Sequence, residues 1–287
     1  MATKVKKLKS RKTSRNSKNI AGIVVMTFWC LFSICVIGWI VVASLSTTAE
    51  IFDNKILASG LHFENYQYVI EKFNILLYFG NSLLYTAASC FLVIIISAPA
   101  AYAVATYAFR GRRLLQSAYA SAMGIPGIML MIPVYMMVGR MKLTDNLFVL
   151  IVIYTLTMIP FTMFFLTSFF SSIPKEIQES ALVEGCSHEK AFWKAIFPLA
   201  QPGIVTVTIF NFIGIWNEYT WALVFANSSQ RRTLALGLQS IVEGMRYSGN
   251  WAALFAAVVL VFLPTLIMFI FLSEKIMGGV TTGAVKG

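Results

Sequence analysis

The chain has 287 residues, 58% of them hydrophobic and only 12% charged. A soluble domain carries about twice that charged fraction, so a water-soluble globular protein is excluded and an all-α integral membrane protein is expected. The net charge of +11 would suggest nucleic acid in a soluble chain, but eight of the 23 Lys and Arg fall in the first eighteen residues. A basic tail beside a membrane segment reads instead as a cytoplasmic flank attracted to anionic lipid, so no nucleic acid is expected.

Crossing a hydrocarbon layer about 30 Å thick takes roughly 20 apolar helical residues. Six runs reach that length: 20–45, 77–107, 114–138, 147–170, 204–226 and 251–272. The first is too long for the apolar core of a signal peptide and is kept as a span. It follows the basic tail 1–19 and belongs with an outer loop to a segment 20–76. Counting Lys and Arg between runs sets the orientation. With the N-terminus inside, segments 1–19, 108–113, 171–203 and 273–287 hold 16 of them, against seven in 46–76, 139–146 and 227–250. Both termini are then cytoplasmic, and the tail, with half of the inside count, decides it.

Within the second span, Ser97, Ala101 and Ala105 form a small-residue face for close helix packing, as do Ala252 and Ala256 in the sixth. Pro126, Pro133 and Pro160 lie inside spans and should kink them. The four cysteines, Cys30, Cys35, Cys90 and Cys186, show no paired spacing, so neither a disulfide nor a metal site is expected.

The stretch 171–203 is polar where its flanks are apolar. Pro174 opens a short helix with Glu176 and Glu179 in its first turns, and Gly185 follows Leu182 and Val183 as a stop. Ser187 can cap a second helix through Phe192 and Ile196, ending at Pro198. Two short helices broken at Gly185 are too polar to insert and too apolar to stay in water, which points to a protein partner. An interfacial helix lying on lipid headgroups has the same pattern.

In the fifth span, Thr208, Asn211, Ile215 and Glu218 follow helical spacing, so Asn211 and Glu218 share one face. An intramembrane carboxylate is costly unless paired or hydrated and is a candidate for a transport path. Asn217 and Glu218 read as part of an outer gate or sugar-contacting wall, or equally as a packing clamp against a neighbouring subunit. Trp216, Tyr219 and Trp221 flank them, either to stack on sugar rings or as an aromatic belt at the membrane boundary.

A phosphate-binding loop needs a Gly-Lys dipeptide, and none occurs. The two histidines, His62 and His188, lie on opposite faces of the membrane, too far apart for a zinc site or catalytic triad. No enzyme activity and no cofactor are expected.

Glu179, Ser180 and Ala181, then Gly185 after three residues, then Ala195, Ile196, Phe197 and Pro198 after nine more, resemble the EAA loop of permease subunits of bacterial ATP-binding cassette (ABC) importers. Ser180, Ala195 and Phe197 replace the family's Ala, Ile and Leu. "GNSLLYTAA", "FRGRR", "FFSSIPKEIQESA", "WNEYTWAL" and "TTGAVKG" are similar to carbohydrate permeases, in particular the second partner of the maltose-type pair, over about Gly80 to Gly287. The resemblance implies a permease core of five helices at 77–273 after one extra helix, with a short cytoplasmic tail at 274–287. It implies a cytoplasmic coupling helix seated on an ATPase, with Glu179, Ser180, Ala181, Leu182, Gly185, Phe192 and Pro198 as docking residues. It implies a second, different permease, two ATPase subunits and an extracytoplasmic solute-binding protein in the cell membrane. Asn211, Asn217 and Glu218 are then the substrate-pathway candidates for a sugar or oligosaccharide. The alternatives are an ABC permease for polyamines or peptides, and an ion-coupled carrier or channel working through Glu218, for which one carboxylate in six spans is a thin relay.

Overall fold

A computed structural model describes residues 2–284, and every regular element among them is a helix. The side chains of the basic tail 1–19 and of 271–287, including the expected C-terminal tail motif, lie outside the described residues. In chain order the helices are α1 (Ala2–Ser44), α2 (Thr48–Phe52), α3 (Glu64–Phe73), α4 (Ile75–Thr106), α5 (Arg112–Ala122), α6 (Gly127–Arg140) and α7 (Leu147–Phe170). They continue with α8 (Lys175–Val183), α9 (His188–Ala191), a π-helical turn (Phe192–Ile196), α10 (Phe197–Leu199), α11 (Gln201–Trp216), α12 (Thr220–Phe225), α13 (Leu234–Ser248) and α14 (Trp251–Ala284). Three stretches are long and apolar enough to cross a membrane unbroken, Gly22–Ser44, Ile75–Thr106 and Leu147–Phe170. Two sharply bent pairs raise the number to five if each pair is one crossing.

Two of the six expected spans are therefore not continuous helices. The run 114–138 breaks between α5 and α6, which meet at 99°. Pro126 causes this: it has no N–H to continue the ladder, and its ring drives the preceding residue out of the helical region, beside the permissive Gly124. Pro133 and Pro160 stay inside α6 and α7. The run 204–226 ends as α11 at Trp216 and restarts as α12, while upstream α11 joins the His188–Leu199 stretch at 75°.

The chain divides into two compact units, Met1–Val69 with Met245–Val259 and Ile70–Gly244 with Leu260–Gly287. In the first, α1 is apolar on all sides over Gly22–Ser44 and exposes Val24, Phe28 and Trp29, which suits a lipid-facing helix. The buried Asn65 amide ends that helix by donating to the carbonyls of Ser44 and Ser46, at 3.0 and 2.9 Å. Thr47 and Glu50 start α2 as a reciprocal capping box. Ala252 and Ala256 are buried as expected, and Phe255 meets Trp39 edge to face at 5.1 Å.

The second unit is organised around α4 and α7, its most extensive helix pair. Ser82, Ser89, Val93, Ser97 and Ala101 recur at helical spacing along the buried face of α4, so the small-residue stripe lets the two backbones approach. Ser89 donates to the Ile151 carbonyl across the pair at 3.2 Å. α11 packs against both helices. At Gly203 a side-chain carbon would come within 2.6 Å of the Phe169 ring, so only glycine admits this approach. One core cluster gathers Ala98, Tyr102, Leu166, Phe170, Phe192 and Ile196; the other gathers Tyr85, Leu150, Tyr154, Ile215, Trp221 and Phe225.

Candidate functional site

The polar stretch 171–203 is built from local signals. After α7, the hydroxyls of Ser171 and Ser172 donate back to the carbonyls of Thr167 and Phe169, at 2.8 and 2.7 Å, and occupy acceptors the ending helix leaves open. Pro174 then stands at the N-cap of α8. At the other end the Gly185 N–H donates to the Leu182 carbonyl and the Cys186 N–H to that of Ala181, both at 3.0 Å. This is a Schellman closure, which needs a left-handed residue, and Gly185 sits at φ +86°. Ser187 caps α9 by accepting from the Lys190 N–H at 3.3 Å.

The second helix runs on past its expected end. A π-turn over Phe192–Ile196 carries it through Pro198 to Leu199. Proline has no N–H and crowds the carbonyl four residues back, and widening the turn by one residue relieves that crowding.

The loop is fastened on one side and open on the other. Ile196 is buried, and so is Phe192, whose ring centroid lies 4.9 Å from that of Tyr102 and 6.1 Å from that of Phe170. Phe192 was expected on a docking face; it belongs instead to the chain's own core, because burying a phenyl ring there is worth about 1.5–3 kcal/mol. Glu179, Ser180, Gly185 and Pro198 are exposed, Ala181 and Leu182 half-buried. Val183 is 89% exposed at the tip of α8. Sequence reasoning missed Tyr107, whose hydroxyl accepts from Gln178 Nε2 on α8 at 3.0 Å and meets His188 Nδ1 on α9 at 3.1 Å. One tyrosine thus fastens both short helices to the end of α4. Its position at the end of an apolar run was the only available signal.

The polar residues of the fifth run are separated rather than aligned. Asn211 is fully buried and donates to Thr162 Oγ1 of α7 at 2.9 Å, a link between α7 and α11. The Asn217 amide turns back to the Ile213 carbonyl at 2.9 Å and ends α11. Glu218 therefore lies beyond the helix that was expected to carry it together with Asn211. Its Oε1 accepts from the Trp221 N–H at 2.8 Å, and its Oε2 from the Ala222 N–H at 3.2 Å and the Tyr154 hydroxyl at 3.0 Å. Short polar side chains that satisfy backbone groups compete with a continuing helix, and here they win. Glu218 and Trp221 form one wall of a hollow of about 780 Å³, otherwise lined largely by apolar residues of α6 and α7 such as Leu130, Val134, Val152 and Leu156. Asn217, Trp216 and Tyr219 border a smaller hollow of about 300 Å³.

Residues 94–273 match the family described as "Binding-protein-dependent transport system inner membrane component". The chain is 30% identical over 280 residues to the diacetylchitobiose uptake system permease protein NgcG of Streptomyces coelicolor, covering 96% of this chain and 93% of that one. It is 28% identical over 268 residues to the trehalose transport system permease protein SugB of Mycobacterium tuberculosis, covering 91% and 98%. Its fold is shared with a chain in the crystal structure of a bacterial ABC transporter involved in the import of the acidic polysaccharide alginate, at TM-score 0.78 and 24% identity over 90% of this chain and 97% of that one. With apolar helices of spanning length, a matching fold and a family match over most of its length, the chain belongs to the inner membrane components of binding-protein-dependent transport systems.

Proposed function

We propose that the chain is one permease subunit of an ABC importer that moves a sugar or oligosaccharide inward, driven by separate ATPase subunits seated on α8 and α9. One observation carries this reading: a loop pinned to its own core by Phe192 and Ile196 holds Glu179, Ser180 and Val183 outward around a left-handed glycine. An exposed Val183 held in a fixed shape beside Glu179 and Ser180 fits a protein partner better than water. Relatives whose names concern diacetylchitobiose and trehalose support carbohydrate as the cargo. The same reading supplies a second, different permease and an extracytoplasmic solute-binding protein. It counts six crossings when each bent pair is one and the apolar stretch Trp251–Ile267 of α14 is the sixth, with both termini cytoplasmic. Asn217 and Glu218 border the transport path, and Asn211 fixes α11 behind them.

The test is the loop. Gly185→Val places a β-branched residue at φ +86° and costs on the order of 1–2 kcal/mol. Glu179→Lys reverses a charge on the outer face. Both variants are expected to insert normally yet to lose the co-purifying ATPase or substrate-stimulated ATP hydrolysis. Full ATPase retention with normal uptake in both would refute the docking role.

A further inference from the structure

Between α1 and α3 the first unit holds a row of four polar side chains, Glu50, Ser59, His62 and Glu64, in which each bonds the next. The Ser59 hydroxyl donates to Glu50 Oε1 at 2.6 Å, and the same Ser59 Oγ meets His62 Nε2 at 2.8 Å. The other ring nitrogen, Nδ1, meets Glu64 Oε1 at 2.6 Å. A serine hydroxyl carries one proton, and here it goes to Glu50, a buried carboxylate that also accepts from the N–H groups of Ser59 and Thr47. His62 Nε2 must then be the donor to Ser59. A carboxylate can only accept, so Nδ1 must be the donor to Glu64. Only the imidazolium has a proton on both nitrogens. A neutral ring, in either tautomer, sets a bare nitrogen against the Glu64 carboxylate or the Ser59 oxygen, or else takes the hydroxyl proton away from Glu50. The bond to His62 is the first cause of a lowered pKa at Glu64, which keeps that group in its accepting form.

The backbone inside this row is held rather than relaxed. Leu57 sits at φ +61° and Asn54 at φ +54°, left-handed values that persist only when the surroundings impose them. The Leu57 N–H donates to Ser46 Oγ at 3.1 Å and the His62 N–H to the Leu45 carbonyl at 2.9 Å, so the connection is tied back to the end of α1. Of the charged groups, Glu64 faces His62 directly and Glu50 through Ser59. Asp53 and Lys55 of the same connection form no ion pair among the described residues. Glu71 and Lys72 lie about two turns further along α3, and Tyr66 is bonded to Ser44 Oγ. From the Met245–Val259 part of the unit, Asn250 reaches Thr48 and brings no charge.

We propose that these four side chains form a proton-operated latch, closed while His62 is an imidazolium and loosened when the ring loses its proton. Histidine is the side chain that ordinarily changes charge between about pH 5 and 8. The closed form holds the extra proton, so closure is favoured at low pH and opposed as pH rises. Opening frees Asn54 and Leu57 to leave their left-handed conformations, and moves Leu61 and Phe63, which flank His62 and are exposed. The latch stands on the connection itself and does not depend on the cargo, on the docking loop or on the side of the membrane it faces.

The test is hydrogen exchange read by mass spectrometry on the full-length chain in lipid nanodiscs, together with the subunits that accompany it. Exchange of the peptide spanning 53–60, which holds the Leu57 and Ser59 N–H groups, is divided by the intrinsic chemical rate at each pH from about 5 to 8. In the wild type, protection is expected to fall about tenfold across that range. His62→Gln, with no proton to lose, should hold one level of protection throughout. Glu64→Gln is the sharper variant. Its amide can donate to a bare Nδ1, so the neutral ring keeps all its contacts and protection should stay high at the upper end of the range. Wild-type protection that does not change with pH would overturn the proposal, as would a fall that persists in His62→Gln or in Glu64→Gln.

Discussion

The Glu50 carboxylate, in the connection after α1, accepts from the Ser59 hydroxyl and the Ser59 N–H at 2.6 Å each and from the Thr47 N–H at 2.8 Å. These donors, the Ser59 hydroxyl first, hold its pKa down from 4.5 to about 2. Because folding lowers the value, the stabilisation is complete above about pH 4.5 and is lost as pH falls toward 2. Glu50→Gln should therefore unfold at a lower temperature than wild type near neutral pH, with the gap closing as melting curves are taken from pH 4.5 to 2. A gap independent of pH would show that the ionised form is not what the loop needs. What was legible at this scale was what is local. Gly185 and Ser187 announce a left-handed closure and a cap because their partners lie within five residues. Tyr107 and Tyr154 did not announce themselves, because their partners Gln178 and Glu218 stand more than sixty residues away and only folding brings them together.

Among the elements, α11 meets α7 at Gly203, where a side-chain carbon would come within 2.6 Å of the Phe169 ring. Gly203→Ala should overpack that crossing and cost about 1–3 kcal/mol, measured as a lower unfolding temperature of the full chain. Adding Phe169→Leu should return part of the loss, whereas additive losses would mean that the two residues do not share the contact. The unbroken spans α4 and α7 were legible in the sequence because a long apolar run has few other solutions, and Pro99 and Pro160 lie inside those helices without ending them. The breaks were less so. An apolar run has the same length and composition whether its helix is straight or bent by 99°, and Pro126 marked a disturbance without its angle. Asn211 and Glu218, seven residues apart, match a helical face equally well when the helix stops between them. That Asn217 and Glu218 satisfy backbone groups instead depends on Tyr154 and α12 being in place.

For the whole molecule, the 16 Lys and Arg assigned to one side lead to an orientation that labelling can check. Single-cysteine or tag reporters at Lys18, at Gly111 and beyond Ser273 should be reached from the cytoplasm, and one at Asn227 from outside. Reporters at Asn227 and Gly111 answering on the same side would rule out six crossings. The seat of Phe192 has a mechanical consequence. Its ring packs against those of Tyr102 in α4 and Phe170 in α7, so the loop is joined to both long helices through buried side chains, and protein interiors pack about as densely as crystals of small molecules. Such a joint has no slack: a load applied at Val183 or Glu179 reaches α4 and α7 as displacement rather than being absorbed by bending. Phe192→Ala would hollow out the joint at about 3–5 kcal/mol and introduce play. If the outer face is gripped by a motor, that variant should keep the motor bound and consuming ATP while each stroke is wasted, so the number of ATP spent per solute imported rises. An unchanged ratio would mean that the stroke enters the membrane by another route.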